Sequence, residues 1–375
     1  MLASLSELTV VIPTISRPLF VRRQVRYWSA FDAQVVILDG AQCPIDDPTL
    51  ENLPSNIRYI HWPVKFNERL SRAHEFVTTE FACLLPDDEF FVPQGLNRAI
   101  QLLKTDGELI GVVGKVLYFF VDQGRFLCKR GYEEWKDFDN SSLTSFDRVR
   151  EVLPPNKAHK VQFGVFRSGQ WKELFYECYR DFYSCGYLYE RMLNLYSAVL
   201  GKTVVMDELL WMRSMENPPI SSDAVPRDDR GGMLGWADDP TMQSEVLHYV
   251  SKVQGLIERG AGITTAQAES AAQVFVYGGF EKHRQKIRAS SQKRWPKFAK
   301  WLMNNSPKRL RLWAKRSLPA YALRGFDWAG YELDEIVKQL ADRDVGFSIE
   351  DLQTIEELSL QTDVEARNLR YSVDK

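Results

Sequence analysis

Three adjacent acids, Asp87-Asp88-Glu89, follow directly on the apolar run Phe81-Ala82-Cys83-Leu84-Leu85. Carboxylates so placed repel one another, and burial cannot satisfy all of them without a cation. A hard divalent ion held by one or two carboxylates and a diphosphate would resolve the conflict, and Mg²⁺ characteristically binds in that way. A solvated acidic turn or helix N-terminus is the competing account. Two further apolar runs end in the same manner. Val35-Val36-Ile37-Leu38 runs into Asp39-Gly40, and Leu8-Thr9-Val10-Val11-Ile12 into Pro13-Thr14-Ile15-Ser16-Arg17-Pro18. Asp39 alone reads as an Asp-Gly turn. If all three runs are strands of one α/β sheet, they deliver carboxylates, a hydroxyl and a guanidinium to the carboxyl rim, where such sheets bind ligands.

The opening Thr9-Val10-Val11-Ile12-Pro13-Thr14 with Arg17-Pro18, the strand end Val36-Ile37-Leu38-Asp39-Gly40 and the acidic Leu84-Leu85-Pro86-Asp87-Asp88-Glu89 together resemble glycosyltransferase family 2 and related GT-A enzymes. The resemblance spans roughly residues 8–215. It implies a nucleotide-sugar site built from Pro13, Thr14, Arg17, Asp39, Asp87 and Asp88, with a divalent metal (Mg²⁺ or Mn²⁺) on Asp88 and Glu89. It also implies an acidic base on a helix, with a Leu three residues on and a Gly eleven residues on. Glu190, Leu193 and Gly201 fit that spacing. Two departures stand out: Tyr189 precedes Glu190 where the family has Glu, and Tyr196 replaces the family's later Arg. Asp181 or Glu177 could serve as base instead. Arg17, Lys202 and Arg213 are candidate phosphate partners, each with a surface cation as its plainer reading.

The chemistry expected of such a site is transfer of a sugar from a nucleotide-sugar to a hydroxyl. A metal and cations stabilise the leaving diphosphate, and a carboxylate deprotonates the acceptor. One base without a protein nucleophile implies inversion. The family resemblance points to cell-surface polysaccharide or glycan assembly, with a glycan or lipid-linked acceptor. The rival readings are a sugar-nucleotide nucleotidyltransferase, which would carry a Gly-rich basic loop after the first strand, and a catalytically degenerate glycan-binding or scaffold protein.

The elements that must position these residues read as an α/β layered domain over 1–215, a Pro/Asp/Gly-rich loop or linker over 216–245 and a helical region over 246–375. The expected fold is GT-A: a mostly parallel central sheet flanked by helices, with an α-helical C-terminal extension. Further strands are expected at Ile57–Ile60, Ile110–Phe120, Gln162–Phe166 and Val204–Met206. Helices are expected after Pro18 (capped by Ser16 or Thr14), over Asn67–Thr78 and Gln94–Leu103, and through the aromatic stretch up to Leu200. The Tyr/Phe concentration at 175–196 reads as core ahead of sugar platform.

Across 375 residues the net charge is -2, so nothing global calls for a nucleic-acid partner. That balance hides 13 Lys/Arg and no acid over 282–316, followed by 13 acids against 5 bases over 327–375. The basic segment, interleaved with Trp295, Phe298, Trp301 and Trp313, suits either an anionic membrane surface or a solvated face packed on the catalytic domain. Five scattered cysteines without a CxxC pair, and no signal-peptide pattern, fit a reducing, cytoplasmic setting, with any membrane contact peripheral, at the inner membrane surface. The five histidines lack HxxxH spacing, and neither GxxxxGK[ST] nor GxGxxG is present, which argues against a His-rich metal site, a P-loop and a dinucleotide fold.

Overall fold

The computed structural model describes residues 4–131, 139–153, 161–216, 233–292 and 330–373. The chain begins β1 (Leu8–Thr14), α1 (Pro18–Trp28), β2 (Gln34–Asp39), β3 (Ile57–His61), α2 (Phe66–Arg72) and β4 (Phe81–Leu84). Next come β5 (Phe90–Phe91), α3 (Pro93–Thr105), β6 (Leu109–Asp122) and β7 (Arg125–Gly131). Then follow β8 (Asp139–Asn140), α4 (Ser145–Val152), β9 (Val165–Arg167), α5 (Ser168–Tyr179), α6 (Tyr187–Leu200) and β10 (Lys202–Ser214). Helices α7 (Met233–Asp238), α8 (Gln243–Ala261), α9 (Thr265–Gln292), α10 (Leu333–Ala341) and α11 (Ile349–Val373) complete the described chain.

One sheet organises these elements in the order β3-β2-β1-β4-β9-β6-β10-β5, with β7 on β6 and β8 on β10. The strands β3, β2, β1 and β4 run parallel, as do β6 and β10, while β9 lies antiparallel between β4 and β6. Every residue of β1 is buried, as a strand covered on both faces requires. The expected α/β architecture, a mostly parallel sheet flanked by helices with further helices at the C-terminal end, is therefore what the chain forms.

The structure corrects several details. Strand β1 continues through Pro13 instead of stopping there. Val11 accepts from Leu85 N on the β4 side, where pairing then ends, so Pro13 two residues on forgoes no ladder bond. Neither Ser16 nor Thr14 caps α1. Arg17 holds the N-cap position with no side-chain capping bond, and the Thr14 hydroxyl is engaged by Asp87 instead. Helix α2 ends at Arg72 and passes into a 3-10 turn over Ala73–Phe76. Strand β10 is far longer than Val204–Met206, and α4 has no counterpart among the expected helices.

The C-terminal helices share the hydrophobic core of the sheet domain. Lys252 on α8 bonds Asp181 at 2.8 Å and approaches Glu177 at 3.5 Å, tying α8 to the end of α5. Tyr331 pairs backbone to backbone with Cys128 of β7, and Leu209 N donates to Gly346 O at 2.8 Å. The acidic tail finds its partner on α1: Glu365 of α11 takes Arg22 at 2.8 Å and Arg26 at 2.6 Å. In the basic segment only 282–292 is described, as the last turns of α9, and 293–316 with its proposed membrane contact lies outside the described residues. Among the described residues no helix is long and apolar enough to cross a membrane.

Candidate active site

The parallel register sets Thr14 opposite Asp39, and β4 leads into the acidic turn one strand away, so the carboxyl ends of β2, β1 and β4 form a single rim. Asp87 is fully buried there. Its Oδ2 accepts from Thr14 Oγ1 at 2.6 Å and its Oδ1 from Arg17 Nη1 at 3.0 Å. The same guanidinium nitrogen stands 3.5 Å from Asp88 Oδ2. Burial first, and the charge of Asp88 second, push the Asp87 carboxyl from 3.8 to about 6, against the pull of Arg17 and Thr14.

The backbone of the acidic turn is pinned from α1. Gln24 Nε2 donates to Asp87 O at 3.0 Å and to Glu89 O at 2.6 Å, and Arg23 Nη2 donates to Asp88 O at 2.7 Å. Arg23 itself is buried, its guanidinium 4.7 Å and 4.9 Å from the ring centroids of Phe20 and Phe90. Glu89 turns towards β10: Trp211 Nε1 donates to its Oε2 at 2.6 Å, and Arg213 Nε lies 3.9 Å from Oε1. Burial, then Asp88, hold the Glu89 carboxyl well above the ordinary glutamate value despite Arg213 and Trp211.

Asp39 sits at the rim as expected, but both of its oxygens are engaged within the protein. Oδ1 accepts from Ala41 N at 3.0 Å, the Asp-Gly turn bond, and Oδ2 accepts from Tyr59 OH at 2.5 Å. Burial and that bond raise the Tyr59 hydroxyl to about 12. Arg69 was not singled out from the sequence, yet it bridges the rim. Its Nη1 donates at 2.7 Å to both Thr14 O and Leu38 O, at 1% exposure, with Asp39 and Asp87 as its nearby opposite charges. The one trace of it in the sequence is Gly40, since a Cβ at that position would fall inside contact distance of the Arg69 guanidinium. Gly40→Ala is expected to lower unfolding free energy by about 1–3 kcal/mol, as overpacking against a fixed group does, measured by urea denaturation. An unchanged midpoint would mean that Arg69 moves aside freely.

The remaining expected residues divide. Arg213 lies beside Glu89, with Tyr118 and Trp211 under its guanidinium. Lys202 stands at the start of β10, opposite Leu109 and paired with Glu108, at the other end of the strand from Arg213. Glu190 is half-buried in the first turn of α6. It neighbours Tyr179, whose hydroxyl is raised well above its ordinary value by burial and then by the Glu190 charge. Asn67 donates to Tyr179 O at 3.3 Å and Phe66 packs edge-on to the Tyr179 ring, so α2 connects Glu190's surroundings to Arg69 and the rim. Burial alone would raise Asp181, but its bond to Lys252, with His248 and Arg180 nearby, holds it below the ordinary aspartate value. The aromatic stretch also divides. Trp171, Phe175, Tyr179 and Tyr189 stack in the core, whereas Tyr176, Phe182 and Tyr187 are exposed.

Among the described residues no group of three or more His, Cys, Asp or Glu side chains is placed to hold a metal ion. The Asp87–Asp88 pair nevertheless already holds a cation, the Arg17 guanidinium. Its oxygen donors suit Mg²⁺ or Mn²⁺ bound through one or two carboxylates with the rest of the shell from phosphate.

No family model and no curated protein matches the chain. Among solved structures it is similar to S. aureus TarS. TarS 1–349 in complex with UDP-GlcNAc has 12% identity and a TM-score of 0.49, over 96% of this chain and 92% of that one. TarS 1–349 in complex with UDP has 9% identity and a TM-score of 0.47, over 96% and 91%. Another crystal structure of TarS matches at 14% identity and a TM-score of 0.39, over 68% of this chain and 43% of that chain, so this chain spans less than half of its length.

Proposed function

We propose that this protein is a GT-A glycosyltransferase that moves a sugar from a nucleotide-sugar donor to a hydroxyl acceptor with inversion, in assembly of a cell-surface glycan. The supporting observation is the convergence of Thr14, Arg17, Asp39, Arg69, Asp87 and Asp88 at one sheet rim. Pro13, Thr14, Asp39 and Asp87 line the nucleoside end, with Tyr59 and Arg69 fixing its shape. Arg17 and Arg213 attract the diphosphate, an electrostatic role at the point where charge develops. Asp88, with Asp87 behind it, would hold the divalent ion, which neutralises the departing diphosphate when bound. Glu89 supports the turn through Trp211. Glu190 takes the acceptor proton.

A thermal-shift screen of nucleoside-diphosphate and CMP sugars, each with and without Mn²⁺ or Mg²⁺, tests this reading, with UDP-GlcNAc as the first probe. A donor at ~100-fold over its dissociation constant adds about 2.7 kcal/mol of stability. One nucleotide is expected to give a shift that requires the metal. No shift with any donor would overturn the donor site and favour a glycan-binding protein.

A further inference from the structure

Arg17 follows Ser16, whose φ of 53° lies in the left-handed region that a non-glycine residue rarely takes. Ile15 and Ser16 are exposed and the Arg17 side chain is 17% exposed, while the Asp87 side chain it holds is at 0%. The β1–α1 loop is thus strained on its solvent side and anchored on its buried side through one guanidinium shared by two carboxylates, at 3.0 Å and 3.5 Å.

We propose that Arg17 is the resident counter-cation of the Asp87–Asp88 pair: it closes the pair to divalent ions until a nucleoside diphosphate draws the guanidinium onto its own oxygens. The inference rests on the reading of this rim as a donor site. A guanidinium matches the forked oxygens of a diphosphate as well as those of a carboxylate. Release would also let Ser16 leave its left-handed conformation. The adjacent carboxylates, with the Arg17 charge withdrawn, then attract a divalent cation. Nucleotide and metal therefore load together, each raising the affinity of the other by the same factor.

The test is a Mn²⁺ titration of the nucleotide-free protein, followed by the electron paramagnetic resonance signal of free Mn²⁺. Arg17→Gln is expected to bind Mn²⁺ about 10-fold more tightly than the parent, since a unit positive charge beside the carboxylates is removed. Arg17→Lys, which keeps the charge, should stay near the parent, and Asp88→Asn added to Arg17→Gln should erase the gain. Unchanged or weaker Mn²⁺ binding by Arg17→Gln overturns the proposal. Should that variant not fold, the parent titrated with and without UDP gives the same decision: no increase of Mn²⁺ affinity with bound UDP overturns it. A parent that binds no nucleoside diphosphate at all overturns the donor-site reading instead, and the nucleotide-free comparison of Arg17→Gln with the parent separates that failure from this one.

Discussion

Asp88→Asn is expected to abolish metal-dependent donor binding and to lower turnover by at least about 100-fold, while the free protein at pH 7 is as stable as the parent or more so. The two halves of this result have one cause. Asp87 carries its carboxyl up to about 6 from an ordinary 3.8, so between about pH 4 and 6 the folded state binds more protons than the unfolded state. Stability from this group is therefore present at low pH and lost as pH rises through that window. The charge of Asp88 is the second cause of the shift, after burial. Replacing it by Asn returns stability on the order of 1 kcal/mol at neutral pH. The backbone oxygen of residue 88, which receives Arg23, is unaffected by the change. A residue that costs stability and is required for binding is a functional one, the usual trade at active sites. Thermal unfolding with and without donor and Mn²⁺ reads both halves together. Full donor binding by Asp88→Asn would remove the metal from this carboxylate, and a large loss of stability in the free variant would make Asp88 a structural residue.

The rim was legible because a parallel sheet converts chain order into place. Apolar runs that end in Thr14, Asp39 and Asp87 put those residues together once the strands pair in register. Their partners were not legible, since an arginine on a helix carries no mark of where its guanidinium goes. Nothing in the sequence singles out Arg69 or Arg23, yet each is buried against backbone carbonyls of the rim. Glu89 shows the same limit. Its place in the acidic triplet is plain from the sequence, but nothing there marks Trp211, 122 residues away, as the donor to its side chain. The fold was read well where one period persisted over several residues and poorly where tertiary contacts set the ends. β10 extends because β6 pairs with it from Lys202 to Ser214, and α11 lies on α1 through Glu365.

Glu190→Gln is expected to lower kcat by about 10²–10⁴-fold, the range for losing a positioned general base, while donor binding stays within about threefold. The substitution keeps the side chain's shape. Glu190 sits in the first turn of α6, where an acid interacts favourably with the helix dipole, so the stability loss should stay near 0.3–1 kcal/mol. Asp181→Asn is the necessary comparison. Lys252 is 8% exposed and is held by Asp181 at 2.8 Å and Glu177 at 3.5 Å, so removing the Asp181 charge leaves the largely buried ammonium with the longer Glu177 contact. That variant should lose stability and show its activity loss in proportion to unfolded protein, with kcat per folded molecule near the parent. The pH profile of kcat separates the two assignments further, because a base must lose its proton over the acidic limb and a Gln cannot. If Glu190→Gln retained kcat and its acidic limb while Asp181→Asn, fully folded, lost both, the base would be Asp181. The Lys252 contact would then have to open when the acceptor binds.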